Sequence, residues 1–517
     1  MATEPSALPE DLQAEVLRRL PPHVLAASRR VCKAWRDLVD ARLRGYLLSL
    51  SVRGIFLNYD ELDFSEFFSC PSTGPAIHGG LGFLPCDGVK VTDHCNGLLL
   101  CSDGGGERDY VVNPATRRWA RLPPRPRPCK RKFGHIAYLA FDPAMSPHYQ
   151  VFLIPRLPMP SASRKPDDNP LLQPEWPPAS YVLHAFSSTA HRWDKITFLR
   201  EGKAAGILAD MGSDLWYGQY HAAYWGSALY FHCQHGYLTR LSISNRTYRV
   251  VRLPGADEFE AYHNRHYLGT SLRGVYCAKN NRRLGLQLWH LDESRGPTEW
   301  VLVHDVELET FARRFHPREE GHAKKLHKQW ILQDVNYRKV LEKYNPNGYE
   351  NCAAPVEEKY DWNSDDDNVL DHIVEDTTED YSEDYCFLGF HPHKEIVYLS
   401  LSVGRGVAYD WNNSKFQDLG SLHPKYYYDM DQRIETSFTY TPCWMGQFPG
   451  NELKSQLEDE KLARREMKLQ LESQLEDDHN FTYTCVDEYE MRKLRGHAKR
   501  AKDSAAKIRR RHRNTGR

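Results

Sequence analysis

The chain has 517 residues, a formal net charge of −1, and 29 Tyr and 12 Trp against 8 Met. That length holds several domains or one large repeat domain with appendages, and the aromatic, Met-poor balance favours strands over long helices in its middle. No apolar run approaches the roughly 18–20 residues of a membrane span, and no basic segment leads into an apolar one at the N-terminus, so a soluble, unsecreted protein is expected.

Residues 8–39 read LPEDLQAEVLRRLPPHVLAASRRVCKAWRDLV. Leu12, Val16, Leu17 and Leu20 recur at helical spacing, Pro21 and Pro22 break the chain, and Leu25, Val31, Trp35 and Leu38 start a second apolar series. Two or three short helices follow. A unit of roughly 40 residues hardly buries its own apolar surface, so something else is expected to cover part of it.

Leu8-Pro9, Leu12, Val16-Leu17, Leu20-Pro21, Leu25, Ser28 and the run Val31-Cys32-Lys33-x-Trp35-Arg36-x-Leu38 make this segment resemble an F-box. An F-box is the helical module that docks a protein onto the Skp-type adaptor of a cullin-RING ubiquitin ligase. The resemblance implies an adaptor-binding surface of Leu8, Pro9, Leu12, Val16, Leu17, Leu20, Pro21 and Leu25, with Val31, Cys32, Trp35 and Leu38 partly supporting it. Plant F-box proteins place the motif near the N-terminus ahead of a β-rich, target-capturing domain, and this chain has the same layout. The plainer alternative is a helical hairpin whose leucines only pack on the next domain.

Between about 93 and 445 a polar turn leading into an aromatic recurs: NPATRRW to Trp119, FSSTAHRW to Trp193, LSISNRTY to Tyr248, LDESRGPTEW to Trp300 and YDWNNSKF to Phe416. The steps from Trp193 to Tyr248 to Trp300 are 55 and 52 residues, a period that fits four-stranded propeller blades of the kelch type. In the first unit Gly97–Cys101 and Tyr110–Val112 are expected as strands about a turn at Asp103–Gly106, with Trp119 packing between blades. CNGLLL, NPATRRW and the closing TYTPCW strand, Thr439 to Trp444, also resemble the F-box-associated domains of plant proteins. Five turns are visible, and a sixth blade needs residues near 50–90 or 436–444. On such a propeller a target is expected at end loops, with Trp216, Tyr217, Tyr220, His221, Arg265, His266 and Tyr267 as candidates against the plainer role of covering blade edges.

Glu357–Asp384 carries thirteen acidic residues against one Lys, and Arg492–Arg517 twelve Lys or Arg against one Asp. Such blocks are expected to be disordered and solvated. Residues 451–478 read as a polar helix without heptads. In the tail, Lys499, Arg500, Lys502, Lys507, Arg509, Arg510, Arg511 and Arg513 suit a nuclear localisation signal, a nucleic-acid contact or a solubilising end.

No catalytic or metal constellation emerges. Gly104-Gly105-Gly106 lacks a following Lys-Ser/Thr. Asp361, Asn363, Asp365 and Asp367 imitate a calcium loop, but Asp366 and His372 stand where Gly and Glu belong. His232-Cys233-x-His235 and His391-Pro-His393 are too isolated for zinc. Cys32, Cys95, Cys101, Cys233, Cys277 and Cys386 lie among apolar neighbours, as buried thiols in a reducing compartment do, and no disulfides are expected.

The expected fold is α+β multidomain, a small N-terminal helical F-box followed by a mainly-β, propeller-like repeat domain. The expected division is 1–48 F-box, 49–92 linker and first β elements, 93–310 first part of the propeller, 311–385 charged and largely disordered insertion, 386–445 second part, and 446–517 polar helix and basic tail. The resemblance implies a non-catalytic substrate receptor of a Skp–cullin–F-box ligase without a cofactor, cytoplasmic, nuclear or both. Its partners would be the adaptor, cullin and RING subunits and a target protein, with no membrane. The alternative is a nuclear scaffold outside the ligase, its tail on nucleic acid.

Overall fold

The computed structural model describes residues 8–127, 134–156, 174–207, 221–233, 236–255, 266–281, 285–294, 298–308, 330–344, 385–401, 404–425 and 433–449, apart from residues 61, 73, 105, 107 and 447. Three short helices open it, α1 Glu10–Arg18, α2 Pro22–Ser28 and α3 Lys33–Arg42, followed by a 3₁₀ turn at Arg44–Leu47. Pro9 and Pro21 occupy the N-caps of α1 and α2, where the missing N–H costs no helical bond. Cys32 caps α3, its Sγ accepting from the Trp35 backbone N–H at 3.4 Å.

Among the described residues, the remaining strands form the six blades of a propeller, with a separate two-stranded pair, Glu175–Trp176 and Gly206–Ile207. Blade 1 is Val89–Cys95, Leu98–Asp103, Asp109–Asn113 and Arg118–Arg121, and blade 2 is Gly134–Phe141, Tyr149–Arg156, Ser180–Ser187 and Arg192–Arg200. Blade 3 is Ala222–Trp225, Ala228–Cys233, Tyr237–Ser242 and Thr247–Arg252, and blade 4 is His266–Ser271, Gly274–Asn281, Gly285–Asp292 and Glu299–Glu307. Blade 5 is Tyr385–Phe390, Ile396–Leu401, Arg405–Asp410 and Lys415–Ser421. Each first strand lines the channel, and the inner strands follow one another around a closed ring. The outer strands of blades 2 and 3 also touch, pairing in parallel at Leu199–Thr247 and Arg200–Tyr248.

Blade 6 closes the ring and is assembled from three distant stretches. Its inner strand Ile434–Tyr440 pairs with Gly54–Tyr59, which pairs with Glu66–Ser69, and Ile331–Leu332 adds the outer strand. Residues 49–92, expected as linker and first β elements, supply two of its strands. Part of the expected disordered stretch 311–385 is built into the fold as well. Trp330 packs on Phe68, and helix α4, Val335–Tyr344, is held by the buried Glu66 carboxylate, which accepts from the backbone N–H of Val335 at 2.6 Å and of Asn336 at 2.9 Å. A carboxylate capping a helix N-terminus overrides the charge-based expectation there.

The recurring polar turns are the links between third and fourth strands. Arg117, His191, Arg246 and Ser414, each just before the outer strand, share a left-handed φ of 52–54°, and the following aromatic enters the core facing the preceding blade. Trp119 lies between blades 6 and 1, Trp193 between 1 and 2, Tyr248 between 2 and 3, Trp300 between 3 and 4, and Phe416 between 4 and 5. The core is thus six wedges between blades, each rich in aromatics that bury large areas at low entropic cost. The wedge between blades 1 and 2 also takes in Leu17, Leu25, Leu38, Val39, Leu43 and Leu47 of the helical unit.

Candidate functional site

Alternation along each blade puts the links between first and second and between third and fourth strands at one end of the propeller. These are tight: Asn96-Gly97, both with positive φ, is a two-residue hairpin turn, and a side chain at Gly97 would meet Cys443. The helical unit sits at this end. Gly45 packs on Ala144 in the blade 2 turn, and Leu48 bridges to Cys443 beyond the last inner strand. The long links, such as Arg121 to Gly134, Arg200 to Ala222 and Glu307 to Tyr385, leave from the opposite end.

The helices bury one face and leave the other wet. Leu8, Leu12 and Val16, spaced four apart on the α1 side, are 59, 52 and 58 % exposed, and Val31 is 68 % exposed. Pro9, Pro21 and Val24 are exposed too, while Leu20 and Trp35 are half-buried. Large apolar side chains four residues apart face water here, Leu8 just ahead of α1 and Leu12 and Val16 on it, although the inner face of that helix is already packed. The Trp35 indole N–H donates to Gln13 Oε1 at 3.1 Å, tying α3 to α1, and Arg29 and Asp40 form a shielded two-point ion pair at 2.8 and 2.9 Å.

Three residues of the expected docking set are placed elsewhere. Leu17, Leu25 and Leu38 are buried in the wedge between blades 1 and 2, because the inward face of a helical unit too small for its own core is covered by the propeller. Cys32 departs from the expected buried thiol: it is exposed as the α3 cap. The Cys233 side chain lies outside the described residues. Val24 could not be read as a surface residue beforehand, since the α2 segment is too short for its periodicity to resolve a face.

Of the loop candidates, His221 and Tyr267 are buried in the channel, their rings 3.9 Å apart, and His266 and Tyr267 begin the inner strand of blade 4. Trp216, Tyr217, Tyr220 and Arg265 lie outside the described residues, as do the acidic run 357–384 with its calcium-like Asp361–Asp367, residues 451–478 and the basic tail. His221, His94, Tyr267, Thr270, Thr439 and Thr441 line a channel cavity of about 50 Å³ that, among the described residues, no carboxylate, Lys or Arg lines. It has room for a few waters or the tip of one side chain. His221 Nε2 is buried there without a hydrogen-bond partner among the described residues.

Burial sets the protonation of this interior. It pushes His94 down to about 4 and His232 to about 3, and His221 well below the ordinary range, while it pushes Asp93 up to about 8 although the Leu139 N–H donates to Asp93 Oδ2 at 2.6 Å. The histidines contribute stability that is present above pH 6.5 and lost as the pH falls toward 4 and 3. Asp93 has the opposite sign: its contribution is complete below pH 3.8 and is lost as the pH rises through 8. Between pH 6.5 and 8 Asp93 therefore governs, and stability is expected to fall by up to about 1.4 kcal/mol per pH unit. Asp93→Asn keeps the acceptor for Leu139, and its urea midpoints are expected to stay level over that window while those of the unaltered chain decline; parallel declines would show Asp93 to be ionised in the fold.

Among the described residues no group of three or more His, Cys, Asp or Glu is placed to hold a metal, and no helix is long and apolar enough to cross a membrane. The His391 and His393 rings are 6.3 Å apart, and the His393 backbone N–H donates to His391 Nδ1 at 3.1 Å, a contact within one turn.

Comparison with known proteins matches the F-box domain family to residues 5–45. The F-box protein At5g07610 of Arabidopsis thaliana is 25 % identical over 331 residues, covering 59 % of this chain and 72 % of that protein. The F-box protein At5g49610 of the same plant is 24 % identical over 310 residues, 58 % of this chain and 79 % of that one. Among solved structures, apo AztD from Citrobacter koseri is 10 % identical with a TM-score of 0.30, covering 75 % of this chain and 98 % of its own. The Dos1 propeller is 9 % identical with a TM-score of 0.29, covering 70 % and 66 %. The six blades are defined by the strand pairing.

Proposed function

We propose that this chain, an N-terminal F-box domain followed by a β-propeller, is a substrate receptor of a Skp–cullin–F-box ubiquitin ligase. F-box proteins generally serve as adaptors of such ligases, and the observation that supports the role here is the exposed Leu8–Leu12–Val16 stripe on helices whose other face is fixed to the propeller. The adaptor takes that stripe with Pro9, Pro21 and Val31, while Leu17, Leu25 and Leu38 hold the helices beneath it. Val24 extends the same surface.

The target meets the propeller at the end from which the long links leave, away from the F-box. Packed onto blades 1 and 2, the F-box holds that face at a set distance from the adaptor, so the receptor acts by raising the local concentration of target lysines near a charged ubiquitin carrier. The chemistry belongs to other subunits, and the receptor needs no cofactor. It works in the cytoplasm, the nucleus or both, with Lys499, Arg500, Lys502, Lys507 and the Arg509–Arg513 cluster directing import.

Reconstitution tests this reading. The full chain, a Skp-type adaptor, cullin and RING subunit are expected to elute as one complex that ubiquitinates propeller-bound proteins. Adaptor capture that excludes cullin would overturn it in favour of a scaffold outside the ligase.

A further inference from the structure

The helices α1–α3 are finished by residues four hundred positions downstream. The inner strand of blade 6, Ile434–Tyr440, runs directly into a strap, Thr441–Gly446 with Phe448, that lies between the helical unit and the propeller. The strap is tied to the stretch after α3: the Ser49 N–H donates to Pro442 O and the Trp444 N–H to Leu47 O, both at 2.8 Å. It is tied to blade 1 as well, where Asn113 Nδ2 donates to Cys443 O at 2.9 Å and the Arg118 guanidinium donates to Gly446 O. Its apolar side chains then complete the interior. Cys443, Met445 and Phe448, at 0, 4 and 7 % exposure, share one cluster with Leu17, Leu25, Leu38 and Leu47. The Phe448 ring lies 5.9 Å from Tyr149 of blade 2, and Trp444 lies 5.8 Å from His23 of α2. Gly446 leaves no room beside Arg29, the arginine that pairs with Asp40 across α2 and α3.

A helical unit of this size lacks an interior of its own. Without the strap, the inward leucines lack part of their apolar cover, and the helices beside Leu8, Leu12 and Val16 are held to one another chiefly by polar ties such as Trp35 to Gln13 and Arg29 to Asp40. The strap cannot arrive before blade 6 closes, because its path begins where the last inner strand ends. Resting on the receptor reading above, we propose that closure of the propeller ring licenses adaptor capture, with Met445 and Phe448 as positioning residues that hold the adaptor surface without belonging to it. Chains with an open or incomplete ring, including a nascent chain whose F-box has emerged but whose last blade has not, are then withheld from the ligase.

A partner that binds only the assembled surface sees an affinity reduced by the fraction of chains that are assembled, and the loss falls on the association rate rather than on the dissociation rate. The test uses the full chain and three variants: Met445→Ala, Met445→Ala with Phe448→Ala, and the volume-conserving Met445→Leu. Hydrogen exchange is followed at residues 10–47 and, as a distant control, at Gly274–Asn281 of blade 4, and adaptor binding is followed kinetically.

The double variant is expected to lose protection at 10–47 while keeping it in blade 4, and to bind the adaptor at least tenfold more slowly with little change in dissociation. Met445→Leu is expected to match the unaltered chain. If the double variant also loses protection in blade 4, the single Met445→Ala variant decides by the same two readouts. Wild-type association with raised exchange at 10–47 would overturn the proposal, and so would unchanged exchange. An unaltered chain that captures no adaptor would sink the receptor reading instead, and the exchange result would still decide whether the strap positions the helices.

Discussion

A chain cut after Arg433 is expected to lose the cooperative fold of its β-domain. The cut removes Ile434–Tyr440, which pairs along all of Gly54–Tyr59 and stands between the inner strands of blades 5 and 1. It deletes Phe438 and Tyr440 from the wedge between blades 6 and 1, where each fully buried aromatic is worth about 3–5 kcal/mol. It also strands polar groups: Ser437 Oγ and Thr439 Oγ1 donate to the carbonyls of Phe387 and Phe390, and the Tyr267 hydroxyl donates to Ser437 O. Asn58 loses Thr436, and the buried edge of Gly54–Tyr59 is left open, at about 1–3 kcal/mol for each unsatisfied group. Together these exceed the roughly 5–15 kcal/mol by which a domain is stable. Thermal melting followed by near-ultraviolet circular dichroism is expected to show no sharp transition for the cut chain. A transition within a few degrees of that of the full chain would mean that the ring does not depend on its closing strand.

Much of this was legible in the residues, and the exceptions share a cause. The polar-turn-to-aromatic repeat marks the third-to-fourth-strand links because a tight turn with a left-handed residue and an inter-blade aromatic are both local requirements, written within seven to ten neighbouring positions. The helices of residues 8–42 are readable for the same reason: Pro9 and Pro21 start them and apolar spacing gives them faces. Ile331–Leu332 was hidden, since a two-residue edge strand has no periodicity. Glu66, which caps the following helix Val335–Tyr344, stands some 270 positions away, and nothing near it announces a helix cap. Leu17 belongs to the same apolar series as Leu12 and Val16, and Leu25 and Leu38 to the same series as Val31, and only the tertiary placement of blades 1 and 2 and the strap divides inward from outward. The sixth blade was open in the sequence because its strands come from both ends of the repeat and from an insertion.

Replacing Leu12 and Val16 together by Glu is expected to abolish adaptor capture while leaving the protein as stable as before. Both side chains are more than half exposed and belong to none of the packed clusters, so charge at these positions stays hydrated in the free chain. In the complex two carboxylates would have to enter an apolar contact, and at about 2 kcal/mol or more apiece the loss is several hundredfold or greater in affinity. Leu17→Ala should behave in the opposite way. Its side chain is 1 % exposed within the wedge, so its truncation is expected to cost about 2–5 kcal/mol of stability and to weaken capture only as far as the helices loosen.

Titration of a Skp-type adaptor into the full chain, its Leu12→Glu/Val16→Glu variant and Leu17→Ala, with melting curves of all three, tests the receptor account most directly. The account predicts tight one-to-one binding by the unaltered chain and none by the double variant at an unchanged melting temperature, with a lowered melting temperature and residual binding for Leu17→Ala. Binding by the double variant equal to that of the unaltered chain would contradict it.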